Sequence, residues 1–309
     1  MASGLPPHYT ILAIGNLPGS YSEVVTAIND AGQVVGRALM LPNGNSSHGF
    51  VWSQAAGFTD LYPIAGTTGI NNAGQIIGCL DVSPSTGCVG GSPVLYSVGG
   101  ITGIPFTPNG FALGINNGGQ VVGSEYGQVV GFQVVPSVPV IYSAGTVTQL
   151  PICNNCASQA ITINDNAQIA GNIGYTNSPC FFYSGGVTTT LACAYVTGIN
   201  NSAQVVGSGF NAHGVLWTPT GGFIDLGVLS GSSTSVASGI NKNGQVVGTS
   251  SCSGAFIWTQ TSGMISLNAL IEDSAWFLEQ ASAINDNGQI VGIGTHNGQR
   301  IPFLLTPMP

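Results

Sequence analysis

Acidic side chains that could act in catalysis occur at two similar positions near opposite ends of this chain. Glu23 and Glu279 each lie a short distance before an Ile-Asn pair that belongs to a repeated motif. Two carboxylates held close together can serve as general acid and general base in the cleavage of glycosidic bonds. This pair is therefore the candidate catalytic group if the protein is a glycoside hydrolase or a lyase-type enzyme.

Aromatic, charged and amide side chains collect in the segments where the repeats differ from one another. Tyrosine and tryptophan rings offer flat apolar faces and acids form directed hydrogen bonds, so a sugar ring, with its C–H patches and hydroxyls, suits such a surface. We expect a carbohydrate or another small polar ligand to bind there. A solvated rim, with Trp276 wedged between structural units, is the alternative interpretation. The candidate ligand-binding residues are Tyr21, Arg37, His48, Glu125, Tyr126, Tyr175, Tyr195, Trp276, His296 and Arg300.

Metal and cofactor chemistry find little support in the sequence. The four histidines, His8, His48, His213 and His296, include no pair at metal-ligand spacing. No Gly-x-Ser-x-Gly, His-Glu-x-x-His or phosphate-loop motif occurs. We therefore expect neither a metal site nor a cofactor.

The charge balance restricts the classes of partner. Eleven acids against three bases give a net charge of −8, with charged residues only 5% of the chain. Nucleic acids and anionic membranes need clustered Lys and Arg, so both are poor candidates, and no apolar run approaches the roughly 18 residues of a membrane span. We expect a monomer that binds a small molecule or glycan. A structural or adhesion surface protein, with another protein surface as partner, is a third hypothesis.

The elements that must position these residues come from a motif that the chain contains seven times. Residues 239–248 read Gly-Ile-Asn-Lys-Asn-Gly-Gln-Val-Val-Gly, and each copy predicts a hairpin whose Asn and Gly residues form the turn. Because a catalytic group is needed once and these Asn and Gln residues recur seven times, we interpret them as turn chemistry. The other copies begin at Ala27, Gly69, Gly114, Thr162, Gly198 and Ala283.

Further strands follow each hairpin, so every unit carries four. A short apolar strand such as residues 213–217 comes after the closing glycine, and a Gly-containing turn leads to a fourth strand such as residues 222–226. Four-stranded units that repeat about every forty residues are typical of β-propeller blades. The seventh unit stops at Leu305 without a fourth strand, and residues 9–19 resemble one. The sequence predicts an all-β, seven-bladed propeller over residues 1–309, a single domain whose N-terminal strand closes the last blade.

Seven cysteines favour an oxidising compartment. We predict disulfides Cys79–Cys88, Cys153–Cys156 and Cys180–Cys193, with Cys252 left unpaired. The Cys-Asn-Asn-Cys run at residues 153–156 could also be half of a zinc site, but it lacks a second Cys or His pair.

The motif resembles the repeat of the HAF-repeat family of bacterial extracellular proteins. The resemblance rests on the Gly-Ile-Asn-Asn-x-Gly-Gln-Val-Val-Gly run, on strands such as His48-Gly49-Phe50-Val51-Trp52, and on an Asp-Leu-Gly-x-Leu segment at residues 225–229. It covers residues 9–305 and implies a repeat scaffold and an extracellular location, but no catalytic residues. The first residues form no signal peptide, so we expect a secreted protein whose signal peptide is absent from this chain.

Overall fold

Seven antiparallel sheets of four strands each form a ring, the architecture of a β-propeller. The structure is a computed structural model that describes residues 8–41, 46–80, 91–107, 110–125, 129–130, 133–134, 137–153, 156–174 and 178–309. Within this part of the chain the predicted all-β fold with seven four-stranded blades is confirmed.

The first blade shows the plan of every unit. Strand β2 (Ser20–Ile28) lies next to the central channel, followed outward by β3 (Val34–Met40), β4 (Ser46–Ser53) and β5 (Gly57–Asp60). The third strand is buried on both faces because each blade packs between two others, and Phe50 of β4 is fully buried. The outermost strand is half exposed, which explains the polar residues at its end.

Blades two to six repeat this order from the channel outward. In blade three, a short hairpin of β12 (Val129–Val130) and β13 (Gln133–Val134) is inserted between the second and third strands. Their strands are β6 (Ile64–Ile70), β7 (Ile76–Leu80), β8 (Ser92–Ser97) and β9 (Gly100–Gly103) in blade two; β10 (Phe111–Ile115), β11 (Val121–Glu125), β14 (Val138–Ser143) and β15 (Thr146–Gln149) in blade three; β16 (Ser158–Ile163), β17 (Ile169–Ile173), β18 (Cys180–Ser184) and β19 (Val187–Leu191) in blade four; β20 (Tyr195–Ile199), β21 (Val205–Ser208), β22 (Gly214–Thr218) and β23 (Gly222–Asp225) in blade five; and β24 (Ser235–Ile240), β25 (Val246–Ser250), β26 (Gly254–Thr259) and β27 (Gly263–Ser266) in blade six. A short 3-10 turn, Leu267–Ala269, follows blade six.

The last blade joins the two ends of the chain, as predicted. Strands β28 (Trp276–Ile284), β29 (Ile290–His296) and β30 (Gln299–Pro307) are completed by β1 (Tyr9–Ala13), which pairs antiparallel with β30 and sets Ala13 opposite Phe303. Because β1 fills the outermost position, the long strand β30 does not remain an unpaired sheet edge.

The repeated asparagines hold neighbouring blades together at the hairpin turns. In blade one, Asn29 Nδ2 donates to Gln33 Oε1 (2.8 Å) and to the carbonyl oxygen of Asn71 in blade two (3.0 Å), while its Oδ1 accepts the N–H groups of Ala31 and Gln33. The same inter-blade bond recurs in every blade, and Asn285 closes the ring by donating to the carbonyl oxygen of Asn29 (2.9 Å). The side chains of this asparagine ring are buried and use their hydrogen-bonding capacity. The ring consists of Asn29, Asn71, Asn116, Asn164, Asn200, Asn241 and Asn285.

The glycine that closes each motif is required by close packing. Every inner strand has a bulge, in β2 between Val25 and Ala27, which brings a backbone carbonyl oxygen against the closing glycine of the next strand. A Cβ atom at Gly36 would collide with the carbonyl oxygen of Val24 and with the ring of Phe50. The same clash with an inner-strand carbonyl exists at Gly78, Gly123, Gly171, Gly207, Gly248 and Gly292.

Two of the three predicted disulfides are present among the described residues. Cys180 at the start of β18 is joined to Cys193 just beyond β19, and Cys153 is joined to Cys156. Cys79 is disulfide-bonded, and its predicted partner Cys88 lies outside the described residues. Cys252 is free and exposed. Bonded cysteines indicate a non-reducing compartment. None of the helical segments described reaches the length and apolarity needed to cross a membrane.

Candidate functional site

The ring of seven blades has two different faces. The tight turns, such as residues 29–33 and 54–56, lie on one face, which we call the turn face. The loops between second and third strands and the connections between blades lie on the other, which we call the loop face. The order and antiparallel pairing of the strands dictate this arrangement.

The predicted ligand-binding residues that the structure describes belong to strands or loops toward the loop face, but they do not form one site. Tyr21 of β2 is exposed, and Arg37 is half-buried in β3 opposite Val24. Glu125 at the end of β11 is buried, and its Oε1 accepts the N–H of Thr107 (2.9 Å), so it fixes a connecting loop. Tyr126 and Tyr175 lie outside the described residues.

His48 takes part in a contact between neighbouring strands. Its Nδ1 lies 2.8 Å from Asp60 Oδ2, and its ring packs 4.9 Å from the ring of Tyr62. Blade five contains the same pair, with His213 Nδ1 lying 3.0 Å from Asp225 Oδ2. A contact that recurs at equivalent positions of two blades is structural in character.

Polar residues of strands β29 and β30 contact two residues of β28, Trp276 and Glu279. The ring of His296 stacks on the buried indole at 4.6 Å, with an angle of 11° between the ring planes. Arg300 Nε donates to Glu279 Oε2 (2.8 Å), and Thr295 Oγ1 donates to Glu279 Oε1 (2.5 Å). Partial burial opposes ionisation of Glu279, but these donors outweigh it and lower the pKa of the carboxyl. Glu279 is therefore held in the ionised form.

The other candidate carboxylate has the opposite environment. Glu23 is buried with 4% of its surface exposed, and it accepts a hydrogen bond from the hydroxyl of Ser20. Burial raises the pKa of Glu23, although bonds from Ser20 and the Leu17 backbone act against that rise. Glu23 and Glu279 bond within their own blades, and among the described residues no hydrogen bond joins them.

A pocket between blades four and five lies on the loop face and contains a predicted residue, Tyr195. Its volume is about 380 Å³, and Tyr195 at the start of β20 and Phe210 in the loop after β21 line it with rings that are 37% and 55% exposed. Asn172 Oδ1 accepts the N–H of Val196 (2.9 Å), which ties the two blades together, and its Nδ2 has no partner among the described residues. Ile173, Gly174, Ser178, Ala194, Ser208, Gly209 and Ala212 complete the lining.

Two residues of this pocket were missed from the sequence. Phe210 and Asn172 each follow the closing glycine of a motif copy, where the repeats diverge, and that position was the available signal. Their neighbourhood depends on how blades four and five pack, which one blade's sequence does not reveal.

The turn face has its own concavity at the mouth of the channel. The ends of all seven inner strands line it. Each blade contributes an isoleucine such as Ile28 and a more exposed residue such as Asp30, and every blade except the sixth also contributes its ring asparagine, such as Asn29. Among the described residues no group of three or more His, Cys, Asp and Glu is placed to hold a metal ion.

Comparison with known proteins shows that this chain resembles solved structures in fold. No protein-family model and no curated protein sequence matches this chain. Virginiamycin B lyase from Staphylococcus aureus superposes with a TM-score of 0.60 at 11% identity, over 97% of this chain and 99% of that one. The β-propeller domain of the Trilobed protease from Pyrococcus furiosus (TM-score 0.59, 12% identity, 93% and 94%) and an oligogalacturonate lyase in complex with manganese (0.59, 12%, 100% and 99%) are also similar. At these identities the likeness defines the class as a β-propeller.

Proposed function

We propose that this protein is a secreted binding module of the HAF-repeat type, whose pocket between blades four and five takes a carbohydrate or another small polar ligand. Pairing of aromatic rings with directed polar groups in one concavity supports the proposal. The exposed rings of Tyr195 and Phe210 offer apolar faces, and Asn172 supplies an amide donor. A sugar ring, apolar on its C–H faces and polar at its hydroxyls, needs this combination.

The environments of the candidate carboxylates favour binding over catalysis. A glycoside hydrolase needs an acid and a base on either side of one bond. Glu279 is ion-paired with Arg300, and Glu23 is nearly inaccessible, with its bonds inside blade one. A hydrolase or lyase-type activity would therefore need groups other than this pair.

A glycan array followed by calorimetry on the tightest glycan tests the proposal. We expect Tyr195→Ala and Phe210→Ala each to weaken binding roughly tenfold, because a stacked ring contributes about 1–1.5 kcal/mol beyond its buried area. Tyr21→Ala is the matched control, since Tyr21 is an exposed tyrosine at the start of an inner strand but lies outside the pocket.

Two results would contradict the proposal. One is an array and a panel of small polar ligands on which the parent protein binds nothing. The other is equal loss of affinity in Tyr21→Ala and Tyr195→Ala. Turnover of glycoside substrates that survives Glu23→Gln and Glu279→Gln would show that catalysis uses other residues.

A further inference from the structure

The mouth of the central channel on the turn face is a cup with three tiers of side chains. Its volume is about 190 Å³, which is room for several waters or one small molecule. Isoleucines form the floor, and six of the seven asparagines of the ring, all except Asn241, form the wall. The outer tier, which we call the rim tier, consists of Asp30, Asn72, Asn117, Asp165, Asn201, Lys242 and Asp286.

Hydrogen bonds run around the rim tier from blade to blade. The backbone N–H of Asp30 donates to Asn72 Oδ1 (2.9 Å), and every other residue of the tier except Asn201 repeats this bond with a side-chain oxygen of the next blade. Six such bonds of 2.8–2.9 Å are present. The seventh position is Lys242, whose side chain has no acceptor atom, so the ring is open between Asn201 and Lys242.

The break leaves three groups with unused hydrogen-bonding capacity. Over the described parts of the chain, the backbone N–H of Asn201 has no acceptor and the ammonium group of Lys242 makes no ion pair. Asp286 accepts the N–H of Lys242 on Oδ1 (2.8 Å), whereas its Oδ2 has no donor among the described residues.

The other two carboxylates of the rim tier already accept hydrogen bonds from neighbouring blades. Asp165 receives three donors: the N–H of Asn117 (2.8 Å), Asn117 Nδ2 (3.0 Å) and Asn201 Nδ2 (2.9 Å). Asp30 receives the N–H of Asp286 and Asn72 Nδ2. Only one cation faces three carboxylates here, so an anion alone is disfavoured by the charge of the rim.

We propose that this cup binds a small zwitterion, a molecule that carries a carboxylate and an ammonium group a few bonds apart. The ligand carboxylate accepts the N–H of Asn201 and pairs with the Lys242 ammonium, which supplies the acceptor that the rim tier lacks at this blade. The ligand ammonium donates to Asp286 Oδ2. Both charges of the ligand are thereby matched by groups that have unused hydrogen-bonding capacity among the described residues.

Titration with glycine, β-alanine and 4-aminobutyrate tests the inference, with acetate and ethylammonium as singly charged controls. Binding is followed by calorimetry and by the ¹H–¹⁵N resonance of Asn201. We expect at least one zwitterion to bind roughly tenfold more tightly than either control and to shift the Asn201 amide signal.

Four variants measure the separate contributions of Lys242 and Asp286 to zwitterion binding. Lys242→Asn supplies the missing acceptor, so we expect zwitterion binding to fall roughly tenfold or more while the melting temperature rises by about 1–3 °C. Lys242→Arg retains the charge and should lose less affinity. Asp286→Asn keeps Oδ1 but removes the charge, and should weaken binding roughly tenfold, whereas the matched change Asp165→Asn should weaken it only about twofold.

Three results would overturn the inference. Acetate that binds as well as the zwitterions would show a simple anion site. Equal effects of Asp286→Asn and Asp165→Asn on binding would show that affinity depends on the total charge of the rim tier and not on the contact with Asp286. Absence of any calorimetric signal or Asn201 shift at millimolar probe would show that the cup holds only water.

Discussion

At the scale of single residues, burial and hydrogen bonding decide what each polar group can do. Glu23 and Glu279 occupy similar places in neighbouring inner strands, yet the pKa of Glu23 is raised and that of Glu279 is lowered. Burial dominates in the first case, and the Arg300 and Thr295 donors outweigh it in the second. Glu23 is paired with Ala38 in the sheet, whereas Glu279 lies in a bulge between Leu278 and Gln280, so residues at similar sequence positions have opposite ionisation behaviour.

The raised pKa of Glu23 predicts a pH-dependent effect of Glu23→Gln. Because the folded protein holds this proton more tightly than the unfolded chain, the stability contributed by Glu23 is full below its ordinary value of 4.5 and is lost as the pH rises through the folded-state pKa. Gln does not ionise, so the variant should gain stability relative to the parent between about pH 4 and about pH 7. Urea denaturation at both pH values measures the difference.

Glu272→Gln is the control for this experiment, because Glu272 is exposed. A Glu23→Gln difference that is unchanged or reversed between the two pH values, or one equal to that of Glu272→Gln, would contradict the assignment.

At the scale of elements, the repeated hairpin joins blades as well as strands. Its asparagine satisfies the turn within one blade and donates to the carbonyl oxygen of the next, and its closing glycine makes room for the bulge of the inner strand. The motif is therefore a unit of ring assembly, because one of the four side-chain hydrogen bonds of an asparagine such as Asn29 goes to another blade.

Asn200→Ala should destabilise the protein more than its neighbour Asn201→Ala. The first change leaves the N–H groups of Ser202 and Gln204 without their partner, at a cost of about 2–3 kcal/mol. It also removes one of the two donors to the carbonyl oxygen of Asn241, which keeps the N–H of Gly244. Asn201 is exposed, and its two side-chain bonds to Asp165 can be replaced by water, so we expect a loss below about 1 kcal/mol. Chemical denaturation measures both, and equal losses would refute a special role for the asparagine ring.

At the scale of the whole molecule, closure of the ring depends on the N-terminal strand. Strand β1 pairs with β30 over residues 9–13, and the following Ile14 and Leu17 are buried against Val291 and Leu304. The first and last parts of the chain therefore share one blade and one apolar cluster.

Deletion of residues 1–19 should severely destabilise the propeller. Loss of Ile14 and Leu17 alone removes about 3–6 kcal/mol of apolar burial, which is comparable with a typical folding stability of about 5–15 kcal/mol. It also exposes the edge of β30. Thermal melting and light scattering measure the effect, and deletion of residues 1–7 alone is the control that keeps β1. A 1–19 deletion that melts like the parent would refute the role of the seam.

The sequence by itself determined the number of blades, their four strands and the seam, because all three are written in local patterns. Seven copies of one motif, the apolar strand after each and the unmatched strand at the N-terminus needed no knowledge of long-range contacts. Packing between blades decided the rest. Asn29 bonds to blade two, Phe210 and Tyr195 face Asn172 of another blade, and Lys242 opens a ring formed by six other blades. These relations depend on the lateral distance between units far apart in the chain, which the spacing of residues within one unit does not encode.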